Sequence, residues 1–180
     1  MVVTYGHMQS KEDILKESLL VFYQDNRHMR ILSDILLNKM LSLRIIDYFV
    51  TTYSKVNNTS YKVNNKHFNV FIQYKSLLKG FSKKFFDVFA RRERMTIFSQ
   101  THDCDISTTI AQLHFFKWSI SNNIIDYCLN HMREIESHMG LTSHIRTKAL
   151  KSSSQKKYTT KAVTQRGITK KRILITLNFE

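Results

Sequence analysis

Two histidines and two cysteines are the side chains here best suited to hold a metal or act as a nucleophile. His102 and Cys104 share the polar run His102-Asp103-Cys104-Asp105, while Cys128 and His131 stand about one helical turn apart. Zinc takes close pairs of such ligands. The one-residue gap between His102 and Cys104 suits it poorly, and neither pair has a finger spacing. Cys128 also falls on an apolar stripe, where a buried thiol is the default. Cys104 with His102 has the makings of a nucleophile and base, but adjacent loop residues rarely hold the geometry that activates a thiol. Four glycines in 180 residues leave no glycine-rich loop for phosphate, and neither a nucleophile elbow nor a dinucleotide fingerprint occurs. The expectation is no catalytic residue, no metal and no cofactor.

Charge is the stronger chemical signal. The chain carries 28 Lys/Arg against 14 Asp/Glu, a formal net charge of +14. Arg146, Lys148, Lys151, Lys156, Lys157, Lys161, Arg166, Lys170, Lys171 and Arg172 fall in one run without an acidic residue, whereas residues 1–140 hold 18 cations against 13 acids. The absence of proline, the four glycines and the abundance of Lys and Asn point to AT-rich coding, which inflates Lys. Such bias does not remove Asp and Glu, so the asymmetry stands. A one-sign segment attracts polyanions and repels itself, which makes it an interaction arm. Its cations can displace counterions from a nucleic-acid backbone without reading sequence.

A second basic stretch interleaves Lys75, Lys79, Lys83, Lys84, Arg91, Arg92 and Arg94 with Phe81, Phe85, Phe86 and Phe89. Cations for phosphate beside aromatics for bases is the composition of a nucleic-acid groove. Yet Phe81, Phe85 and Phe89 recur every four residues, which favours a core face with the cations solvating the other side. Arg91, Arg92 and Arg94 are retained as the rival site within the folded part.

The elements that must position these residues follow from periodicity. Ser10-Lys11-Glu12-Asp13 has the form of a capping box opening a helix through Leu15, Leu19 and Phe22, with Asp25-Asn26 as its stop. Further helical stripes run through Leu32, Ile35, Leu36 and Met40, then Leu43, Ile46, Phe49, Val50 and Tyr53. Alternation at Phe68, Val70, Ile72 and Tyr74 predicts a strand paired with Tyr61-Lys62-Val63 across Asn64-Asn65-Lys66. A short helix broken near Gly80 follows, then a strand at Met95–Phe98 and a polar loop over 99–107. Ile110, Leu113, Phe116, Trp118 and Ile120 predict a helix interrupted at Ser121-Asn122-Asn123. A last helix carries Ile125, Cys128, Leu129, Met132, Ile135 and Met139 and stops at Gly140. Beyond it hydrophobic density collapses, predicting disorder over about 141–168. Ile173, Ile175, Leu177 and Phe179 then alternate as a terminal strand.

The blocks Ser42–Tyr53, Tyr74–Lys79, Ser82–Asp87, Arg91–Arg94 and Thr108–Trp118 occur in this order ahead of the basic tail. Together they resemble a group of conserved hypothetical proteins of large eukaryotic DNA viruses, of the mimivirus and phycodnavirus kind, over roughly residues 40–140 and the C-terminus. Val88 stands where that pattern has a proline, and the tail is shorter. The resemblance implies a viral protein of the infected eukaryotic cell, in its cytoplasm, viral factory or virion, and carries over no functional residue.

The sequence thus predicts an α+β protein. Residues 1–140 form one mostly helical domain with a small antiparallel sheet, 141–171 a basic flexible arm and 172–180 a terminal strand. No apolar run approaches the roughly 20 residues of a membrane span, and residues 1–10 lack the form of a signal peptide. The leading expectation is a non-enzymatic protein binding DNA or RNA nonspecifically through its arm, in genome packaging. The alternative is a capsid-associated linker whose arm and terminal strand grip viral structural proteins.

Overall fold

The computed structural model describes residues 10–143. The remainder of the expected arm, the terminal strand, and with them Lys148, Lys151, Lys156, Lys157, Lys161, Arg166, Lys170, Lys171 and Arg172 lie outside those residues. The chain divides into two units, Met1–Met139 and Gly140–Glu180. In the first, the described residues form a mostly helical α+β fold with two small antiparallel sheets, the class the sequence predicts.

Helix α1 (Lys11–Phe22) opens on the expected capping box: Ser10 Oγ accepts from the Asp13 amide, and the Asp13 carboxylate accepts from the Ser10 amide. Asp25 is no stop. It is the N-cap of α2 (Asn26–Leu36), where its carboxylate accepts from the Arg27 and His28 amides. Leu32 and Ile35 carry the predicted stripe into the core.

A helical run follows as α3 (Leu43–Tyr48), a π-helix (Phe49–Tyr53) and α4 (Ser54–Val56), capped by Ser42 Oγ. The Ser54 amide donates to the Phe49 carbonyl, five residues back. That wider turn lets Phe49, Val50 and Tyr53 all be buried.

Strands β1 (Ser60–Val63) and β2 (Lys66–Asn69) pair antiparallel with Val63 opposite Lys66. Asn64 and Asn65 both take positive φ (49° and 61°), as a two-residue turn of the favoured hand requires. The expected strand over 68–74 is overturned beyond Asn69. Asn69 caps α5 (Val70–Phe85) through its side chain, which accepts from the Ile72 amide. Val70 and Tyr74 are buried while Ile72 is 61% exposed, so the stretch follows a helical rather than a two-residue period.

Strands β3 (Met95–Ser99) and β4 (Cys104–Thr108) form a second antiparallel hairpin. Most of the expected polar loop at 99–107 is therefore strand. Ile97 and Ile106 face each other and are buried, which the apolar count of that stretch understates.

Helix α6 (Ile110–Ser121) is capped by Thr109 Oγ1 and buries residues around its whole circumference, including Leu113, Phe115, Phe116 and Trp118. A helix apolar on every side belongs at the centre. It packs against α1, α2, α5 and α7 (Ile124–Asn130). The predicted single helix over 125–139 is broken at His131, and helix resumes at 132. Of the second unit, residues 140–143 are described. They are helical, with Ser143 Oγ donating to the Gly140 carbonyl at 2.7 Å, so Gly140 is not the expected stop.

Candidate nucleic-acid interface

The basic-aromatic stretch is positioned by the central helix. Three hydrogen bonds tie residues 85–88 to α6: His114 Nδ1 to the Phe85 carbonyl (2.8 Å), the Asp87 amide to the Ala111 carbonyl (3.2 Å), and Gln112 Nε2 to the Val88 carbonyl (2.8 Å). Gln112 is buried, and its Oε1 accepts from Thr108 Oγ1, so both ends of the amide are satisfied. A carbonyl only accepts, so His114 carries its proton on Nδ1. Burial lowers the His114 pKa, and the nearby Lys117 lowers it further, against the hydrogen bond to Phe85. The ring is neutral near pH 7.

Phe86 and Val88 are the residues this tether sends into the core, 1% and 2% exposed. The spacing argument that made Phe81, Phe85 and Phe89 the core face is therefore corrected. Phe81 is 40% exposed, and Phe85 and Phe89 are half-buried. The four-residue period fails because α5 kinks at Ser82 (φ 55°, ψ 174°), which rotates everything after it relative to everything before. Lys79, Lys83 and Lys84 are exposed around the kink, with Lys84 Nζ 4.6 Å from the centre of the Phe85 ring.

The three arginines of the rival site do not form one patch. Arg91 Nε is 3.5 Å from Asp87 Oδ2, and its guanidinium lies over the Phe89 ring at 4.9 Å. Asp47 adjoins this pair. Burial raises its pKa, and Asp87 raises it further, against Arg91 and Lys83. Tyr74 is pushed up to about 12, mainly by burial and then by the two aspartates. Arg91 is thus committed to an acidic corner.

Arg92 and Arg94 instead line a cleft of about 450 Å³ between the starts of α1 and α6, together with Lys16, Lys84, Glu12 and Glu93. Lys84 Nζ reaches Glu12 Oε2 at 3.4 Å, and Arg94 donates to Ser107 Oγ at 3.4 Å. The charges lining this cleft are of mixed sign. Sequence reasoning missed His114 as the partner of Phe81. The available signal was a polar ring in a largely apolar helix.

The nucleophile and metal candidates are scattered. Cys128 is fully buried, which pushes its thiol pKa well up, and His131 stacks on Tyr127 at 4.1 Å. His102, at the tip of the β3–β4 hairpin, donates from Nε2 to Asp34 Oδ1 (2.7 Å) while Nδ1 accepts from Lys39 Nζ (2.9 Å). Lysine only donates, which fixes that tautomer. Among the described residues no group of three His, Cys, Asp or Glu could hold a metal ion, and no helix is long and apolar enough to cross a membrane.

A family model described as "Family of unknown function (DUF7197)" matches residues 5–166. The chain is 38% identical over 123 residues to an uncharacterized protein of Acanthamoeba polyphaga mimivirus. That match covers 64% of this chain and 47% of the relative, so the chain spans about half the relative's length. No solved structure matches. The resemblance to proteins of large eukaryotic DNA viruses holds, with a mimivirus protein as the relative.

Proposed function

We propose a function for a chain that belongs to the family of unknown function DUF7197: it is a non-enzymatic viral protein that binds nucleic acid nonspecifically in the infected cell, a capacity suited to genome packaging. The observation that carries this reading is the segregation of charge, ten cations without an acid between residues 141 and 172. Such an arm gains affinity from counterion release and needs no sequence readout. The exposed Lys79, Lys83 and Lys84 on the first unit support it as further cations open to solvent.

The test is duplex DNA binding across a salt series. Affinity should fall steeply with salt, at about 0.9 in logarithmic slope per phosphate contact. Replacing Lys156, Lys157, Lys161 and Arg166 with Gln should lower both affinity and slope. Replacing Arg91, Arg92 and Arg94 should change both less, since Arg91 is held by Asp87. Absence of binding to DNA or RNA at low salt ends this reading. The apolar alternation at Ile173, Ile175, Leu177 and Phe179 then favours the capsid-associated linker, with the terminal strand adding to a sheet edge of a viral structural protein.

A further inference from the structure

The kinked end of α5 presents an arrangement that duplex binding by a basic arm leaves unused. Phe81 is 40% exposed, yet its ring is braced: it meets His114 edge to face, with centroids 4.5 Å apart and planes at 89°. His114 is fixed in turn by its hydrogen bond to Phe85 and by packing on the buried Phe86, 5.3 Å between centroids. A braced, exposed aromatic differs from a loose apolar side chain, because it has less side-chain freedom to lose on binding.

Two further features single out this place. Ser82, directly after Phe81, holds φ 55° and ψ 174°, a backbone region normally left to glycine. Gly80, two residues earlier, occupies an ordinary helical position. The kink lies between Phe81 and the Lys83-Lys84 pair, while Lys79 shares the helical segment of Phe81. Lys84 pairs with Glu12 at 3.4 Å, a pair exposed at both partners and readily exchanged for a phosphate.

We infer that this ridge is a stacking site for the unpaired bases of single-stranded nucleic acid, with Phe81 as the platform and Lys79, Lys83 and Lys84 on the flanking phosphates. The inference rests on the nucleic-acid reading above and narrows its substrate class. A duplex hides base faces within its own stack, so an exposed ring adds nothing to duplex binding. An unpaired base offers a face to any aromatic, and the cations beside Phe81 favour a polyanion over an apolar protein surface.

Fluorescence anisotropy with the full chain tests this, using a labelled oligothymidine, an abasic strand of equal length and a hairpin duplex, each over a salt series. Oligothymidine should bind more tightly than the abasic strand. Phe81→Leu, which keeps apolar cover on His114, should weaken oligothymidine binding roughly tenfold and leave duplex affinity and every salt slope unchanged. Phe81→Trp should restore it, and Lys83→Gln with Lys84→Gln should lower the slope instead. Equal binding of oligothymidine and the abasic strand overturns the inference, as does a silent Phe81→Leu. In both cases continued duplex binding leaves the broader proposal standing, whereas loss of all binding in the parent protein removes both.

Discussion

Asn38, Asn58, Asn64, Asn65 and Asn123 account for five of the seven described residues with positive φ, and neither described glycine is among them. Asparagine enters the left-handed region because its short amide bonds locally to the backbone. A chain rich in Asn and poor in Gly can therefore still make tight turns, and the Asn64-Asn65 hairpin was legible from its sequence for that reason. Ser82 was not. Its ψ of 174° lies away from the left-handed well that asparagine and aspartate use, and nothing in a serine announces it. Such a conformation costs about 1–3 kcal/mol in a residue with a Cβ. Relief of that strain in Ser82→Gly exceeds the roughly 0.4–1 kcal/mol of added unfolded-state entropy. The net expectation in urea denaturation is a gain of about 1 kcal/mol, with none for Ser82→Ala. Gly80→Ala should gain about 0.5–1 kcal/mol, since a Cβ there meets nothing within 4 Å. Destabilisation by Ser82→Gly would show that the kink is relaxed and that Ser82 Oγ, which accepts from the Lys84 amide, holds it.

Elements were read correctly where one period was the sole candidate. The capping box at Ser10 and the stripe through Leu32 and Ile35 leave no strand reading. Val70 and Tyr74 are different, because a spacing of four satisfies both the helical and the alternating period. The residue that decides is Asn69, a helix cap where a strand interior was expected. The β4 strand was hidden by Asp103, Asp105 and Ser107, which leave Ile106 as its main buried anchor. The Phe81–His114 contact was hardest to see, since His114 comes from α6 and its ring meets Phe81 only after the chain has folded. That contact has a pH signature. The folded His114 holds its proton less tightly than the unfolded chain does, at an ordinary value of 6.5. Stability is fully present above that value and falls as pH drops through it towards the folded pKa, because the unfolded state then takes up more protons. Melting temperature followed downward from neutral pH should decline. His114→Gln should start lower and decline less, so that the gap between the two closes with acidification. A constant gap would mean that His114 titrates alike in both states.

At the scale of the whole molecule, the described core and the densest run of charge lie in different parts of the chain. Among the described residues the buried cluster runs from Leu19 to Ile135, all within the first unit. The ten-cation run belongs to the second. Hydrophobic burial scales with apolar area removed from water, whereas counterion release scales with exposed cations, so the two needs compete wherever they share a surface. Segregation along the chain removes that competition, and the function proposed above then predicts that folding and polyanion binding are separable by truncation. Deleting Leu141–Glu180 should leave a cooperative thermal transition within a few degrees of the parent and little loss of helical circular dichroism. The same deletion should abolish most salt-sensitive binding to duplex DNA, while the weaker single-strand binding assigned to Phe81 persists. An insoluble product or a broad, non-cooperative melt would place residues beyond 140 in the core and remove the premise that the arm is an appendage. Full duplex affinity after the deletion would instead move the phosphate contacts onto the first unit, where Lys79, Lys83 and Lys84 are exposed.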